Sequence, residues 1–403
     1  MKVLVADRFE QSGLDGLRRG GCDVVYQPEL TGDALRDAIV ATEAEVLVVR
    51  GTDVRGAIFR AGSLALIVRA GAGYNTIDVE EASRRGIYVA NCPGKNAVAV
   101  SELAFGLMLA LDRRLPDNVS DLRVGQWNKT EYSKARGLFG RTLGLLGYGH
   151  IGQEMAARAR AFGMPVVVWS RRFSNNAAPD PASIGVEIVR RPQEVAERCD
   201  VLSVHLALTP ETRGLVDGSV LGRMKAGSYF INTARTELVD QAALERAVLD
   251  LQLRVGLDVF PSEPAEGSGL FRPPLLSLPN VYGTHHIGAS TVQAQEAIAD
   301  EAVRIVTTYK NTGHVPNVVN LAQTTPATAR LVVRHVDRPG VLAHILDLLR
   351  AADINVQEMD NIIFKGANAA VAHINLDRAP SDTLLEEIKS GDRHILAAHL
   401  VTL

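Results

Sequence analysis

Short apolar runs alternate with amphipathic stretches through the first 300 residues of the chain. The runs before residue 100 are "KVLVAD", "CDVVY", "EVLVVR", "LALIVRAG" and "GIYVANC". Those after residue 140 are "TLGLLG", "PVVVW", "VEIVR", "VLSVHL", "SYFINTA", "LRVGLDVF" and "NVYGTH". Between them, apolar residues recur at helical spacing, most clearly over 98–113 and 291–312. This alternation predicts an α/β protein built on parallel sheets.

The pattern changes after a polar segment, 311–328, which carries two prolines and is typical of a linker. From residue 328 onwards the order of elements is βαββαβ, which predicts a ferredoxin-like domain. This part has no glycine-rich phosphate loop and no cluster of acid and base residues. It therefore favours a binding or assembly module.

Composition excludes several classes of protein. The net charge of −3 over 403 residues argues against a partner held by bulk charge, such as nucleic acid. No apolar run reaches the roughly 18–20 residues of a membrane helix, and we find no secretory signal, so we expect a cytoplasmic protein without membrane contact. Cys22, Cys92 and Cys199 are widely spaced, which favours reduced thiols and argues against a metal site.

A glycine-rich turn, "GYGHIG", joins a predicted strand to a predicted helix. Gly147 allows the tight turn, Gly149 lets backbone approach a pyrophosphate, and Gly152 lets helix and strand pack closely. The helix then begins with His150 and Ile151. Its N-terminal end offers free backbone N–H groups to phosphates. The context predicts a dinucleotide site, and a βα turn without a ligand is the alternative.

The next strand ends in Ser170, Arg171 and Arg172, where NAD-binding folds usually carry a carboxylate. A carboxylate there accepts hydrogen bonds from the ribose hydroxyls and repels a 2′-phosphate. A hydroxyl and two guanidinium groups can instead bind that phosphate. The residues favour NADP(H). NAD(H) remains open if the arginines are only surface charges or stack on adenine.

Three later strands each lead into a residue suited to acid–base or anion chemistry. Arg235 follows "INTA", Glu263 follows "LDVFPS", and His286 follows "VYGTH". In open α/β sheets the ligand crevice lies at the carboxyl ends of the strands, so we expect these side chains to converge.

These segments carry a resemblance. From residue 1 to about 320 the chain resembles the D-isomer-specific 2-hydroxyacid dehydrogenase family, in "RAGAGYNTID", "GYGHIG", "INTAR", "GLDVFPSEP" and "HIGAST". The resemblance implies a catalytic set of Arg235, Glu263 and His286. Arg235 would bind the substrate carboxylate, His286 would exchange a proton with the substrate oxygen, and Glu263 would orient the imidazole. His285 is the competitor, but His286 is the one that precedes "IGAST".

The same resemblance implies further positions and a domain plan. Cofactor contacts would fall on His205, Leu206, Thr233, Ala234, Asp258 and Gly288. Substrate contacts would fall on Arg50, Gly51, Ala72, Gly73 and Asn96. The expected domains are a discontinuous flavodoxin-like substrate domain, 1–97 and 290–320; a Rossmann cofactor domain, 98–289; and the C-terminal domain, 328–403.

The tail resembles an ACT domain, a small-molecule regulatory module, in "RHVDRPGVLAHI" followed by "INV". The resemblance implies a serine site between two subunits on His335, Asp337 and Asn355, in a homodimer or homotetramer. Asp337 stands where asparagine is more usual, so a dimerisation module without a ligand is the alternative.

A dehydrogenase core with such a tail implies action on D-3-phosphoglycerate and 3-phosphohydroxypyruvate, in serine synthesis. The arginines at 171 and 172 are more typical of NADPH-dependent glyoxylate and hydroxypyruvate reductases of the family, which are the runner-up. A non-enzymatic dinucleotide-sensing corepressor is a remote alternative.

Overall fold

The computed structural model describes residues 1–173, 184–264, 268–278, 280–322 and 324–403. The chain forms two compact units, Met1–Asn320 and Leu321–Leu403. The predicted fold class is confirmed.

The first sheet of the larger unit has five parallel strands in the order β2-β1-β3-β4-β5, which is the flavodoxin-like order. The strands are β1 Lys2–Val5, β2 Asp23–Tyr26, β3 Val46–Val49, β4 Leu66–Arg69 and β5 Tyr88–Asn91. The helices between them are α1 Gln11–Arg19, α2 Gly32–Thr42 and α3 Val79–Arg84, with a 3-10 turn at Gly56–Arg60.

The second sheet has seven parallel strands in the order β12-β11-β10-β9-β6-β7-β8, which contains the Rossmann order. The strands are β6 Leu143–Leu146, β7 Val166–Trp169, β8 Glu187–Ile188, β9 Val201–Val204, β10 Tyr229–Asn232, β11 Arg254–Leu257 and β12 Val281–Gly283. The helices are α4 Ala97–Arg113, α5 Leu115–Arg123, α6 Lys129–Tyr132, α7 His150–Ala161, α8 Pro192–Arg198, α9 Gly218–Leu221 and α10 Gln241–Asp250. Short 3-10 turns lie at Arg171–Phe173, Thr236–Leu238 and Pro274–Ser277.

Two long helices carry the chain between the sheets. Through α4 it passes from the first sheet to the second, where Phe105 and Met108 join the core around β6 and β7. The chain returns through α11, Val292–Thr312, whose Ile298 and Ile305 join the core of the first sheet. The strands read as nearly continuous apolar runs because helices cover both faces of a parallel sheet.

The smaller unit is an antiparallel sheet in the order β14-β15-β13-β16 with two helices. Its elements are β13 Ala329–Val336, α12 Val341–Ala351, β14 Val356–Ile363, β15 Ala369–Leu376, α13 Asp382–Gly391 and β16 Ile395–Thr402. Its core is apolar, around Leu331, Ile345, Ile374 and Ile388. The predicted βαββαβ order is thus confirmed.

In the parts of the chain that the structure describes, no helix is both long and apolar enough to cross a membrane. Over the same parts, no three histidine, cysteine or acidic side chains are grouped so as to hold a metal ion.

Candidate active site

The glycine turn between β6 and α7 has the geometry that the sequence predicts. Gly147 has a φ of +106°, and a Cβ on it would collide with the carbonyl oxygen of His205. A Cβ on Gly152 would collide with the carbonyl oxygen of Gly147, so α7 packs tightly on the turn. Around Gly149, by contrast, an added Cβ meets nothing within 4 Å. The turn thus leaves open space beside the α7 N-terminus, where a pyrophosphate would bind. Ile151 is half-buried in the first turn of α7.

The arginines after β7 lie beside this turn. Arg172 donates from Nη1 to the carbonyl of Tyr148 at 3.2 Å, which fixes its guanidinium against the turn. Arg171 is half-exposed, and its Nη1 lies 3.4 Å from Oε2 of Glu211. Ser170 is buried. Glu211 is a carboxylate in this region that the sequence reasoning missed, since it lies in a loop and not at a strand end.

Two buried polar atoms at neighbouring strand ends lack a partner among the described residues. They are Nδ1 of His205, after β9, and Oγ1 of Thr233, after β10. The Nε2 of His205 lies 2.8 Å from Ser203 Oγ, and burial lowers the pKa of His205 to about 3, so the imidazole is neutral. Unsatisfied polar atoms beside an open glycine turn fit a nicotinamide dinucleotide. Leu206 is 3.2 Å from a Cβ built on Gly147, and Ala234 lies between Thr233 and Arg235.

Glu263 and His286 form a direct pair. Oε2 of Glu263 lies 2.7 Å from Nδ1 of His286, and Oε1 accepts a 2.8 Å hydrogen bond from the Phe260 N–H. Burial opposes ionisation of Glu263, but these hydrogen bonds, with the charges of His286 and Arg235, hold the pKa of the carboxyl below its ordinary value. Glu263 is therefore an anion at neutral pH, placed to orient the ring.

The loop that carries His286 is anchored by Asp258, which is buried after β11. Its carboxylate accepts hydrogen bonds from the N–H groups of Ile287 and Gly288 at 2.9 and 2.8 Å and from the Thr284 hydroxyl at 2.6 Å. The anchoring matters because His286 has a φ of +53°, which is uncommon for a residue with a side chain. Asp258, expected to contact the cofactor, therefore also holds the loop that carries His286 in shape.

Arg235 reaches across from the second sheet to the first. An added Cβ at Gly73 would collide with Nη2 of Arg235, so the guanidinium lies directly over Gly73. Its Nη1 donates to the carbonyl of Ala234 at 2.6 Å. Burial lowers the pKa of Arg235, and Glu237 and Glu263 partly offset this. The N–H groups of Ala72 and Gly73 donate to no acceptor in the described chain, which leaves them free beside a cation.

A further arginine, Arg69 at the end of β4, belongs to this cluster and was missed from the sequence. It is largely buried, and its Nε has no partner among the described residues. Burial and the nearby positive charges of Arg235 and Arg50 lower the pKa of Arg69 to about 10. Three arginines thus converge, which makes a strong site for an anion. The strand-end rule that found Arg235 applies equally to Arg69.

The Arg50 loop is organised by Asp7, a second residue that the sequence reasoning passed over. The Asp7 carboxylate accepts hydrogen bonds from the backbone N–H groups of Arg50, Gly51 and Thr52, at 2.5, 2.9 and 3.0 Å. It also accepts from the Thr52 hydroxyl at 2.9 Å. Gly51 is predicted to contact substrate, but its N–H is already used in this way. The Arg50 side chain has no ion-pair partner among the described residues, so it is the member of the loop that can offer a charge.

Asn96 lies at the N-terminus of α4, half-buried, and its side chain does not cap the helix. Beside it, the ring of His150 packs against Gly94: a Cβ built there would come within 3.1 Å of the imidazole. The predicted substrate and cofactor residues thus approach each other at the start of α4. Their roles stay predictions.

Within one chain, the predicted effector residues do not come together. Asn355 lies just before β14, whose first residue, Val356, is level with the start of β13 at Ala329. His335 and Asp337 lie at the opposite end of β13. Six residues of strand separate the two places, or roughly 20 Å. A shared site would need two copies of the chain, as the prediction assumes.

His335 is also committed within its own unit. It is 1% exposed, with Nδ1 2.9 Å from the carbonyl oxygen of Val336 and Nε2 3.1 Å from Oδ1 of Asn361. Binding an effector through this ring would require one of these contacts to break.

Fold and glycine turn together define a nicotinamide-dependent dehydrogenase. Residues 105–288 match the D-isomer specific 2-hydroxyacid dehydrogenase, NAD binding domain family. The chain belongs to the D-isomer specific 2-hydroxyacid dehydrogenases.

Three relatives show where it lies in that family. The D-3-phosphoglycerate dehydrogenase of Methanocaldococcus jannaschii is 38% identical over 80% of this chain and 60% of its own length. The enzyme of the same name from Haemophilus influenzae is 31% identical over 98% of this chain and 96% of its own. The hydroxypyruvate reductase of Thermotoga maritima is 41% identical over 66% of this chain and 84% of its own. The chain thus spans less than two thirds of the archaeal relative and nearly all of the Haemophilus one.

Solved structures of a 3-phosphoglycerate dehydrogenase and of a glyoxylate/hydroxypyruvate reductase are both similar to this chain. The NAD⁺-bound 3-phosphoglycerate dehydrogenase of Entamoeba histolytica has a TM-score of 0.66 at 26% identity, covering 80% of this chain and 99% of that one. An NADPH-dependent glyoxylate/hydroxypyruvate reductase from Sinorhizobium meliloti, in complex with NADP and malonate, has a TM-score of 0.65 at 29% identity, covering 79% and 95%. A nicotinamide cofactor is common to both.

Replacing His286 by alanine tests the proton donor against its neighbour. We expect His286→Ala to lower kcat for oxo-acid reduction by about 1000-fold, the usual size of a general-acid contribution. His285→Ala is the matched control, since it removes the same side chain one residue away, and should leave kcat within about threefold, the size of a minor contact. Steady-state rates with saturating cofactor measure both. The reverse order of the two effects would move the role to His285.

Proposed function

We propose that the protein interconverts D-3-phosphoglycerate and 3-phosphohydroxypyruvate, with a nicotinamide cofactor as hydride carrier. The observation that carries this is the arrangement of three arginines at one end of the first sheet: Arg50 follows Val49, which pairs with Arg69, and Arg235 lies over Gly73. A 2-oxo acid carboxylate occupies one guanidinium, whereas a phosphate dianion accounts for the other two. The Methanocaldococcus and Haemophilus relatives support the same substrate.

The residues divide the chemistry between them. Arg235 and the free N–H groups of Ala72 and Gly73 hold the carboxylate and polarise the adjacent carbonyl. Bound nicotinamide supplies the hydride. The imidazolium of His286 gives a proton to the carbonyl oxygen and recovers it in the reverse direction, while Glu263 keeps the ring oriented. Arg50 and Arg69 take the phosphate end. The residues that would bind the cofactor lie at the glycine turn, at the N-terminus of α7 and at the ends of β9, β10 and β11.

The proposed substrate is tested in a matrix assay, which compares kcat/KM for three oxo acids. We expect the wild-type kcat/KM to be highest for 3-phosphohydroxypyruvate, ahead of hydroxypyruvate and glyoxylate. Arg50→Ala should lower kcat/KM for the phosphorylated acid by about 30–100-fold, the size of a lost charge-assisted contact, and for hydroxypyruvate by less than about threefold.

Arg36→Ala removes an exposed arginine paired with Asp33 and Asp37, and serves as the control. Equal losses on both substrates in Arg50→Ala would mean that Arg50 does not touch a phosphate. A wild-type preference for hydroxypyruvate or glyoxylate would favour the reductase instead.

The reductase remains a second candidate because of the residues after β7. Ser170, Arg171 and Arg172 suit a 2′-phosphate, and the Thermotoga relative is a hydroxypyruvate reductase. The arginine cluster argues against the reductase function, because it offers more positive charge than an unphosphorylated oxo acid needs.

NADP(H) is the cofactor that we propose. Arg172 is held at the glycine turn by the Tyr148 carbonyl, and Arg171 is half-exposed with a long, exposed contact to Glu211 that a phosphate can replace. The position of Ser170 adds a hydroxyl donor.

Replacing both arginines by alanine tests this choice. The double variant Arg171→Ala, Arg172→Ala should raise the KM for NADPH by about 30-fold or more, and that for NADH by less than about threefold, because only NADPH carries the phosphate. Arg223→Ala, which removes an exposed arginine paired with Glu197, is the control. Equal small changes for both cofactors would contradict the assignment.

We propose that the C-terminal unit is an ACT-type module that binds serine between two copies of the chain. The support is the βαββαβ fold. Because Asn355 and Asp337 lie at opposite ends of β13 in one copy, a site that uses both would have to form between two copies. L-serine should then slow the reaction of the wild-type oligomer in the matrix assay. An unchanged rate at millimolar serine would leave the unit as an assembly module.

A further inference from the structure

Buried side chains connect the Ala72–Gly73 loop to the segment that precedes the C-terminal unit. Asn91, at the end of β5, is 9% exposed and donates from Nδ2 to the carbonyl of Ala72 at 2.6 Å. The backbone N–H of Asn91 donates to the carbonyl of Asn317 at 3.3 Å, and its carbonyl accepts from Asn317 Nδ2 at 3.3 Å. Asn317 therefore fixes Asn91, and Asn91 in turn fixes the carbonyl of Ala72.

Glu301 is the charged centre of this connection. It lies on α11, is 7% exposed, and accepts from Asn317 Nδ2 at 2.6 Å. Arg304 donates to the same carboxylate at 2.6 Å, and Lys95, next to Asn96, lies 3.3 Å away. The hydrogen bond from Arg304, with those from Asn317 and Lys95, outweighs burial and lowers the pKa of Glu301 to about 2. A buried carboxylate that stays ionised in this way fixes its donors firmly.

The geometry of a peptide unit makes the Ala72 contact important. The carbonyl of Ala72 and the N–H of Gly73 belong to one planar trans peptide, so they point in opposite directions. Fixing the carbonyl with Asn91 therefore fixes the direction of the Gly73 N–H, which lies beneath the Arg235 guanidinium.

We propose that Asn317 and Glu301, acting through Asn91, are positioning residues that aim the Gly73 N–H at the substrate carboxylate. This inference rests on the proposed function, because it assigns the loop to substrate binding. None of the three residues needs to touch substrate. Their effect should appear in substrate affinity and leave cofactor affinity unchanged.

Asn317 offers a clean variant because its φ is +56°, a left-handed conformation that glycine adopts without strain. Asn317→Gly removes the side chain and keeps the backbone. Asn320 is the matched control on the same segment: it bonds Val89, Ile87 and Ser83, toward the start of β5, whereas Ala72 is bonded at its end. Asn320→Ala thus loosens the segment and leaves the loop contact in place.

The experiment compares these variants in the whole 403-residue chain with 3-phosphohydroxypyruvate and NADPH. Asn317→Gly should raise the KM for the oxo acid by about tenfold, the effect of one hydrogen bond, with kcat and the cofactor KM within about twofold. Asn320→Ala should leave all three within about twofold. Asn317→Asp, which sets a second carboxylate beside Glu301, should raise the oxo-acid KM further and serves if the glycine variant folds poorly.

Amide hydrogen exchange of residues 66–76 without substrate gives a readout that does not depend on turnover. Exchange at the loop should be faster in Asn317→Gly than in Asn320→Ala. If the two variants agree in both oxo-acid KM and loop exchange, the positioning role is wrong, although the proposed function stands. If the wild type reduces none of the oxo acids, the proposed function fails and the exchange comparison alone decides the positioning role.

Discussion

The hydrogen bond between Glu263 and His286, 2.7 Å long, is the contact on which the site depends. It needs β11 and β12 to end side by side, the Phe260 N–H to hold the other oxygen of Glu263, and Asp258 to hold the loop that follows β12. With His286 in a left-handed conformation, this loop is specified by its hydrogen bonds more than by local preference. The rest of the second sheet keeps these three anchors in register.

Three arginines lie in the same region as this pair. Arg50, Arg69 and Arg235 lie close enough for the charges of Arg50 and Arg235 to depress the pKa of Arg69, and burial adds to the effect. Such a cluster is costly in the free protein, because like charges are desolvated together. A substrate with two anionic groups relieves this repulsion, so substrate binding and local stability are linked.

The sequence predicted those parts of the site that follow from local rules. Strand ends located Arg235, Glu263 and His286, and the glycine spacing located the dinucleotide turn, because both features are written within a few residues. Asp7 and Asn91 also lie at strand ends, but their partners could not be predicted, and Glu301 lies inside α11 with no local signal. Asp7 acts on residues more than 40 positions away, and Asn91 and Glu301 meet through Asn317 more than 200 positions after Asn91. Only the fold brings these residues together.

The pH dependence of Glu263→Gln tests the central pair most directly. Because the pKa of Glu263 is lowered, its charge is present throughout the neutral range and is lost only well into acid, so the carboxylate can hold the His286 ring wherever the enzyme would work. In oxo-acid reduction by the wild type, kcat/KM should therefore fall at acid pH as Glu263 gains its proton. Neutral glutamine should lower kcat/KM at neutral pH by about 10–100-fold, the size of a lost charge-assisted hydrogen bond, and remove that acid fall, whereas His285→Ala should behave as the wild type. An unchanged kcat/KM at neutral pH, or the same acid fall, in Glu263→Gln would contradict the account.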